Sequence, residues 1–85
     1  MIKVLYFAAI REDLGTGQEE VAPEGVATAA DLLEELRGRS EAHARALAPE
    51  RRVLMAVNQE YAEAGRPLAD GDEVALFPPV TGGGR

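Results

Sequence analysis

Pro67-Leu68-Ala69-Asp70-Gly71-Asp72-Glu73-Val74-Ala75-Leu76-Phe77-Pro78-Pro79 is the stretch that decides the architecture. Asp70-Gly71 signals a tight turn, because Gly supplies the positive φ such turns require and Asp bonds its own backbone. From Glu73 to Phe77 the residues alternate, with Val74 and Leu76 on one face and Glu73, Ala75 and Phe77 on the other. That is the period of a strand with one face buried. Pro78 and Pro79 then stop the ladder, since proline has no N–H to donate and favours an extended backbone. Beyond them Val80-Thr81-Gly82-Gly83-Gly84-Arg85 contains three glycines in a row. With no Cβ, such a thread fits a slot too narrow for other residues. A frayed terminus is the plainer reading of a glycine-rich end. The alternative is that the tail, residues 81–85, is the functional group and residues 1–80 form one domain that presents it.

Ile2 to Phe7 is rich in β-branched and aromatic residues and reads as a first strand, with Ile2, Val4 and Tyr6 on one face and Lys3, Leu5 and Phe7 on the other. Ala8 to Asp13 reads either as an extension of that strand or as a short helical turn before Leu14-Gly15-Thr16-Gly17, a turn. Gln18 to Ala22 reads as a second strand, antiparallel to the first through a hairpin-like connection. Thr28 and Asp31 form a variant of the capping box and open a helix. Ala29, Leu32, Leu33 and Leu36 fall at helical spacing on its dry side, Glu34, Glu35 and Arg37 lie on the wet side, and Gly38 is the C-cap. Ser40 opens a weaker helix to Leu47, stopped by Pro49; Val53 to Asn58 is a strand, and Gln59 to Leu68 a connecting stretch with Gly65 and Pro67. One helix between two strand pairs implies an α+β domain, a mixed sheet with one face covered. The long helical connection allows the first and last strands to pair in parallel.

Eighty-five residues fit one domain with one modest core. A net charge of −6 argues against nucleic-acid binding, which calls for a basic face. Nothing approaches the roughly 18 apolar residues of a membrane span. The apolar start lacks a basic leader and reads as a strand rather than a secretory signal. With no cysteine the chain has neither a disulfide framework nor a thiolate nucleophile or metal ligand. A cytoplasmic location is the default expectation.

The candidate catalytic groups are few. His43, the only histidine, has no sequence neighbour to position it and reads as a solvated surface residue. Asp70, Asp72 and Glu73 lack the alternating ligands and distal Glu of a calcium loop and read as turn chemistry, so no metal site is expected. Walker loop, dinucleotide fingerprint and nucleophile elbow are all missing. Phe7 and Phe77 share the faces of Lys3 and Glu73, so neighbouring first and last strands would place two phenylalanines together near the tail. They read equally as a docking patch or as residues that cover one another.

Ile2-Lys3-Val4-Leu5-Tyr6-Phe7-Ala8, Val57-Asn58-Gln59, Pro67 to Val74 and Phe77-Pro78-Pro79-Val80-Thr81-Gly82-Gly83 together resemble the small subunit of molybdopterin synthase, a ubiquitin-like sulfur-carrier family. The resemblance runs in order from residue 1 to residue 83. It implies a β-grasp fold with one main helix on one face and a flexible Gly-Gly tail. It implies that the chain is a sulfur-donating, non-catalytic subunit whose terminal glycine, Gly83, is adenylated with Mg-ATP by a ubiquitin-activating-like adenylyltransferase and converted to a thiocarboxylate. The sulfur would pass to precursor Z (cyclic pyranopterin monophosphate) in the large subunit, within a heterotetramer of two small and two large subunits, to form the molybdopterin dithiolene. The carrier itself would bind no cofactor. Phe7, Tyr61, Phe77, Pro78, Pro79, Val80, Thr81 and Gly82 fall on the family's partner-binding positions, although Tyr61 replaces an aliphatic residue. The chain continues past Gly83 with Gly84-Arg85, so the resemblance also implies trimming to Gly83, or to Gly84 if only Arg85 is removed. Carriers for thiamin or tRNA thiolation, a ubiquitin-like modifier and a plain interaction module are the alternatives.

Overall fold

The computed structural model describes residues 1–79. Strand β1 (Ile2–Tyr6) leads through helix α1 (Ala8–Leu14) to β2 (Gln18–Val21). Helix α2 (Ala29–Arg37), helix α3 (Glu41–Ala46) and a 3-10 turn (Pro49–Arg51) follow, and then β3 (Leu54–Val57), β4 (Glu60–Ala62) and β5 (Glu73–Phe77). The five strands form one mixed sheet in the order β2-β1-β5-β3-β4. β1 and β5 pair in parallel at its centre, with Val4 beside Val74 and Tyr6 beside Leu76, and the other pairings are antiparallel. The final strand lies where the alternation puts it, and the first and last strands form the parallel pair that the long helical connection allows.

Alternation also decides which face is dry. Ile2, Val4, Tyr6, Met55, Val57, Val74 and Leu76 are buried against Ala29, Leu32, Leu33 and Leu36 of α2. Thr28 and Asp31 complete a reciprocal capping box at the start of α2. Two more of that helix's otherwise unpaired amides are met from elsewhere in the chain: Ala29 N–H donates to Arg66 O and Ala30 N–H to Ala64 O, both at 2.9 Å. The segment after β4 is therefore no idle connection. It runs past the first turn of α2 and closes its hydrogen bonding, with Leu68 N–H donating to Ala27 O.

Three expectations are corrected. The connection between β1 and β2 is longer than a hairpin: of the two readings of Ala8 to Asp13 the helical one holds, as a helix of seven residues, and Phe7 caps its start instead of ending the strand. Gly15, at φ 74°, ends that helix in the left-handed conformation. Second, the stretch from Gln59 contains an edge strand. Asn58 and Gln59 both take positive φ, 51° and 72°, and form the two-residue turn joining β3 to β4, with Val57 opposite Glu60. Third, His43 is not a solvated surface residue, because its side chain is only 12% exposed.

Candidate functional site

The face of the sheet opposite α2 carries the candidate site. Its side chains fall in rows set by the strand register. Leu5, Ala75, Ala56 and Tyr61 line up across β1, β5, β3 and β4, while Leu54 faces Phe77 in the next row. Phe7 N–H donates to Leu76 O at 3.1 Å, which carries the β1–β5 pairing one residue further and brings Phe7 to the same end as Phe77. Phe7 is 44% exposed and Tyr61 77%. Phe77, Pro78 and Pro79 are half-buried. The Tyr61 and Phe77 ring centroids lie 5.9 Å apart at a tilt of 60°. Tyr61 sits opposite Ala56, and so small a neighbour leaves room for the ring to reach Phe77 across β3.

These aromatics therefore stay outside the core. Grouped exposed rings are unusual on a protein surface, which makes this patch the candidate docking site. The patch sits at the root of the tail, since β5 ends at Phe77 and the two prolines follow. Val80, Thr81, Gly82, Gly83 and Gly84 lie outside the described residues. Leu5, Leu54, Ala56 and Ala75 join the face as well; the alternation of their strands points to them, although as aliphatic residues they carry no chemistry of their own.

The carboxylates of the β4–β5 turn are engaged in structure. Asp72 accepts from Ala69 N–H at 2.8 Å and from the Asn58 side-chain amide at 3.1 Å, and these two bonds hold its carboxyl below the usual range. Asp70 pairs with the Met1 ammonium, which lowers its carboxyl in the same way. Gly71, at φ 93°, makes the turn between them. No group of acidic or histidine side chains among the described residues is arranged to hold a metal ion. No helix among them is long and apolar enough to cross a membrane.

His43 belongs to a different assembly on the helix-covered side. Its Nε2 lies 2.8 Å from Glu19 Oε1 and its Nδ1 2.8 Å from Ser40 Oγ, while the Tyr6 hydroxyl donates to the same Glu19 oxygen at 2.6 Å. Sequence reasoning missed this cluster because its members lie far apart in the chain; Glu19 is 24 residues from His43. The one local hint is Ser40, which caps α3 through His43 N–H.

A five-stranded mixed sheet with its main helix packed on one face defines a ubiquitin-like β-grasp protein. The chain belongs to the ThiS family, whose profile matches residues 4–83. It is 48% identical over 83 residues to the molybdopterin synthase sulfur carrier subunit of Escherichia coli, spanning 98% of this chain and 100% of that protein. Its identity to the protein of the same name from Mycobacterium tuberculosis is 40% over 83 residues, covering 96% of each. Among solved structures, the small archaeal modifier protein 1 of Haloferax volcanii superposes with a TM-score of 0.75 at 34% identity, covering 93% of this chain and 97% of that one.

Proposed function

We propose that this chain is the sulfur carrier subunit of a molybdopterin synthase, presenting its sulfur on the carboxyl group of Gly83. The observation that carries the reading is the exposed aromatic face of Phe7, Tyr61 and Phe77 at the root of a Pro-Pro-Val-Thr-Gly-Gly tail, in a chain 48% identical to a molybdopterin synthase sulfur carrier subunit.

The chemistry follows from what a carboxylate lacks. Its oxygen is a poor leaving group, so the carbonyl carbon resists attack until that oxygen is activated. An adenylyltransferase using Mg-ATP joins the Gly83 carboxylate to AMP and releases pyrophosphate. Sulfur at the hydrosulfide level then attacks the carbonyl carbon and expels AMP, which leaves a thiocarboxylate. The nucleotide and metal chemistry belongs to the activating enzyme, and the carrier contributes reach and docking. Gly82 and Gly83 have no side chain to clash in a narrow active site. The prolines stiffen the base of the tail, and Phe7, Tyr61 and Phe77 fix the distance from the docked domain to the reacting carbon. In the large subunit, within a heterotetramer of two small and two large subunits, the thiocarboxylate sulfur bonds to a carbon of precursor Z. Water then cleaves the acyl–sulfur bond, leaving the sulfur on the pterin and returning the Gly83 carboxylate.

The chain runs past Gly83, so that residue gains a free carboxylate only when the Gly83–Gly84 peptide bond is hydrolysed. If only Arg85 is removed, Gly84 takes the role. The reading is tested by reconstitution with the large subunit and precursor Z. The thiocarboxylated carrier should convert the pterin to its dithiolene, and a thiocarboxylated form that transfers no sulfur would defeat it. The likeness to a small archaeal modifier protein favours a second reading, as a protein modifier. On that reading the activated glycine is attacked by a lysine amine of another protein and expels AMP to form an isopeptide, which the same reaction run with candidate target proteins would reveal.

A further inference from the structure

The cluster around Glu19 lies outside the docking face and the tail, and sulfur transfer makes no use of it. Its donors converge on a single atom. Glu19 Oε1 accepts from the Tyr6 hydroxyl at 2.6 Å and from His43 Nε2–H at 2.8 Å, with an Arg39 guanidinium nitrogen 3.8 Å away. His43 leans edge-on toward Tyr6, their ring centroids 6.5 Å apart, and Tyr6 is only 1% exposed. Three elements meet here: β1 through Tyr6, β2 through Glu19 and α3 through His43. Helix α3 has six residues, too few to persist by helix propensity, so it depends on what it docks against. Its other holds include buried Ala46 and Leu47, the bond from Arg37 Nε to Leu47 O and the bond from Arg51 to Arg45 O.

We propose that Glu19 is the keystone of a proton-released clasp: when ionised it ties α3 to the β1–β2 edge through His43, and when protonated it lets α3 open locally while the sheet stays folded. The proton acts at Glu19 because His43 keeps all its bonds in either charge state. Neutral His43 donates from Nε2 to Glu19 and accepts at Nδ1 from the Ser40 hydroxyl. As a cation it donates from both nitrogens, and the Ser40 hydroxyl rotates to accept. Neutralising Glu19, by contrast, weakens the bonds from Tyr6 and His43 together and removes the attraction of Arg39. The groups facing the cluster are Tyr6 from β1, Glu19 from β2, and Arg39 and Ser40 from the α2–α3 link. On α1, Asp13 is paired with Arg51, which also donates to Arg45 O of α3.

The sign of the pH effect follows from Glu19. Burial pushes its carboxyl up, but the bonds from Tyr6 and His43 and the charges of His43 and Arg39 prevail and leave it lowered. A carboxyl depressed in the folded state stabilises above its unfolded range, and that contribution is lost as pH falls through the folded pKa.

Amide hydrogen exchange on the full chain tests the clasp, read at Ala44 and Leu47, whose N–H groups close α3, against amides of β1 and β5. Glu19→Gln at neutral pH should speed exchange at Ala44 and Leu47 about tenfold, the difference between charged and neutral acceptors, and leave the sheet amides unchanged. The wild-type chain should show the same release in acid, and Glu19→Gln should lack that acid step. If Glu19→Gln does not fold, Tyr6→Phe serves instead, with a smaller acceleration confined to α3. Unchanged exchange at α3, acceleration of helix and sheet together, or an acid step that persists in Glu19→Gln would each overturn the proposal.

Discussion

The two faces of the sheet are built from the same strands and serve opposite ends. Ile2, Val4, Tyr6, Val57, Val74 and Leu76 point toward α2 and are almost wholly buried. Their immediate neighbours Lys3, Leu5, Phe7, Ala56, Ala75 and Phe77 point the other way, where none of the described helices covers them. Burial of the first set supplies the hydrophobic stabilisation of the fold. The second set, Lys3 apart, leaves apolar surface partly open among the described residues, most of all at Phe7, and such grouped surface is where a partner docks on the proposed function. On the proposed function, folding and binding fall to alternate residues of one strand, and substitutions one position apart should separate them.

The largest effect belongs to the tail. Removing the residues from Gly82 onward should abolish sulfur transfer while leaving the thermal unfolding curve in place, since the core among the described residues runs from Ile2 to Leu76. A deletion that retained transfer would break the division outright. Next, Leu36→Ala at a fully buried position should destabilise the domain by about 2–5 kcal/mol in denaturant unfolding. On the opposite face, Phe7→Ala should lower stability by less than about 1 kcal/mol and weaken binding to the large subunit about tenfold or more. Equal losses of stability from Leu36→Ala and Phe7→Ala would show that the outer face is core after all. Tyr61→Phe sharpens the comparison further: because the ring contact with Phe77 is retained, calorimetry should detect weaker partner binding only if the hydroxyl itself is used. Smallest is the helix cap. Thr28→Ala should cost about 1 kcal/mol of stability with no change in partner affinity, because the capping box lies on the covered side.

Much of this division was legible in the sequence, and the reasons for the rest are physical. Strand β5 and helix α2 could be read residue by residue because local chemistry marks both ends of each: Asp70-Gly71 and the prolines for the strand, Thr28 with Asp31 and Gly38 for the helix. Strand β4 escaped because three residues show little alternation and its turn places Gln59, not glycine, at positive φ. Helix α1 stayed ambiguous because Ala8 to Asp13 has no side-chain cap, and Phe7, which precedes it, lies in an extended conformation. In the site, Phe7 and Phe77 came from strand parity alone, and the parallel β1–β5 register brings them to one end. The docking reading of Tyr61 rested on family resemblance, and the ring contact with Phe77 gives it a structural reason. His43 was misjudged because its partners, Glu19 and Tyr6, are distant in sequence and meet it only in the folded chain.

The central claim is that Gly83 bears the sulfur, and the intact mass of the carrier tests it most directly. For carrier isolated from its native cell and then incubated with the activating enzyme, Mg-ATP and a sulfur donor, the account predicts a chain already ending at Gly83, or at Gly84 if only Arg85 is removed, whose mass rises by the exchange of one oxygen for one sulfur. An active carrier that retains Arg85, or one whose mass is unchanged after the reaction, would contradict it.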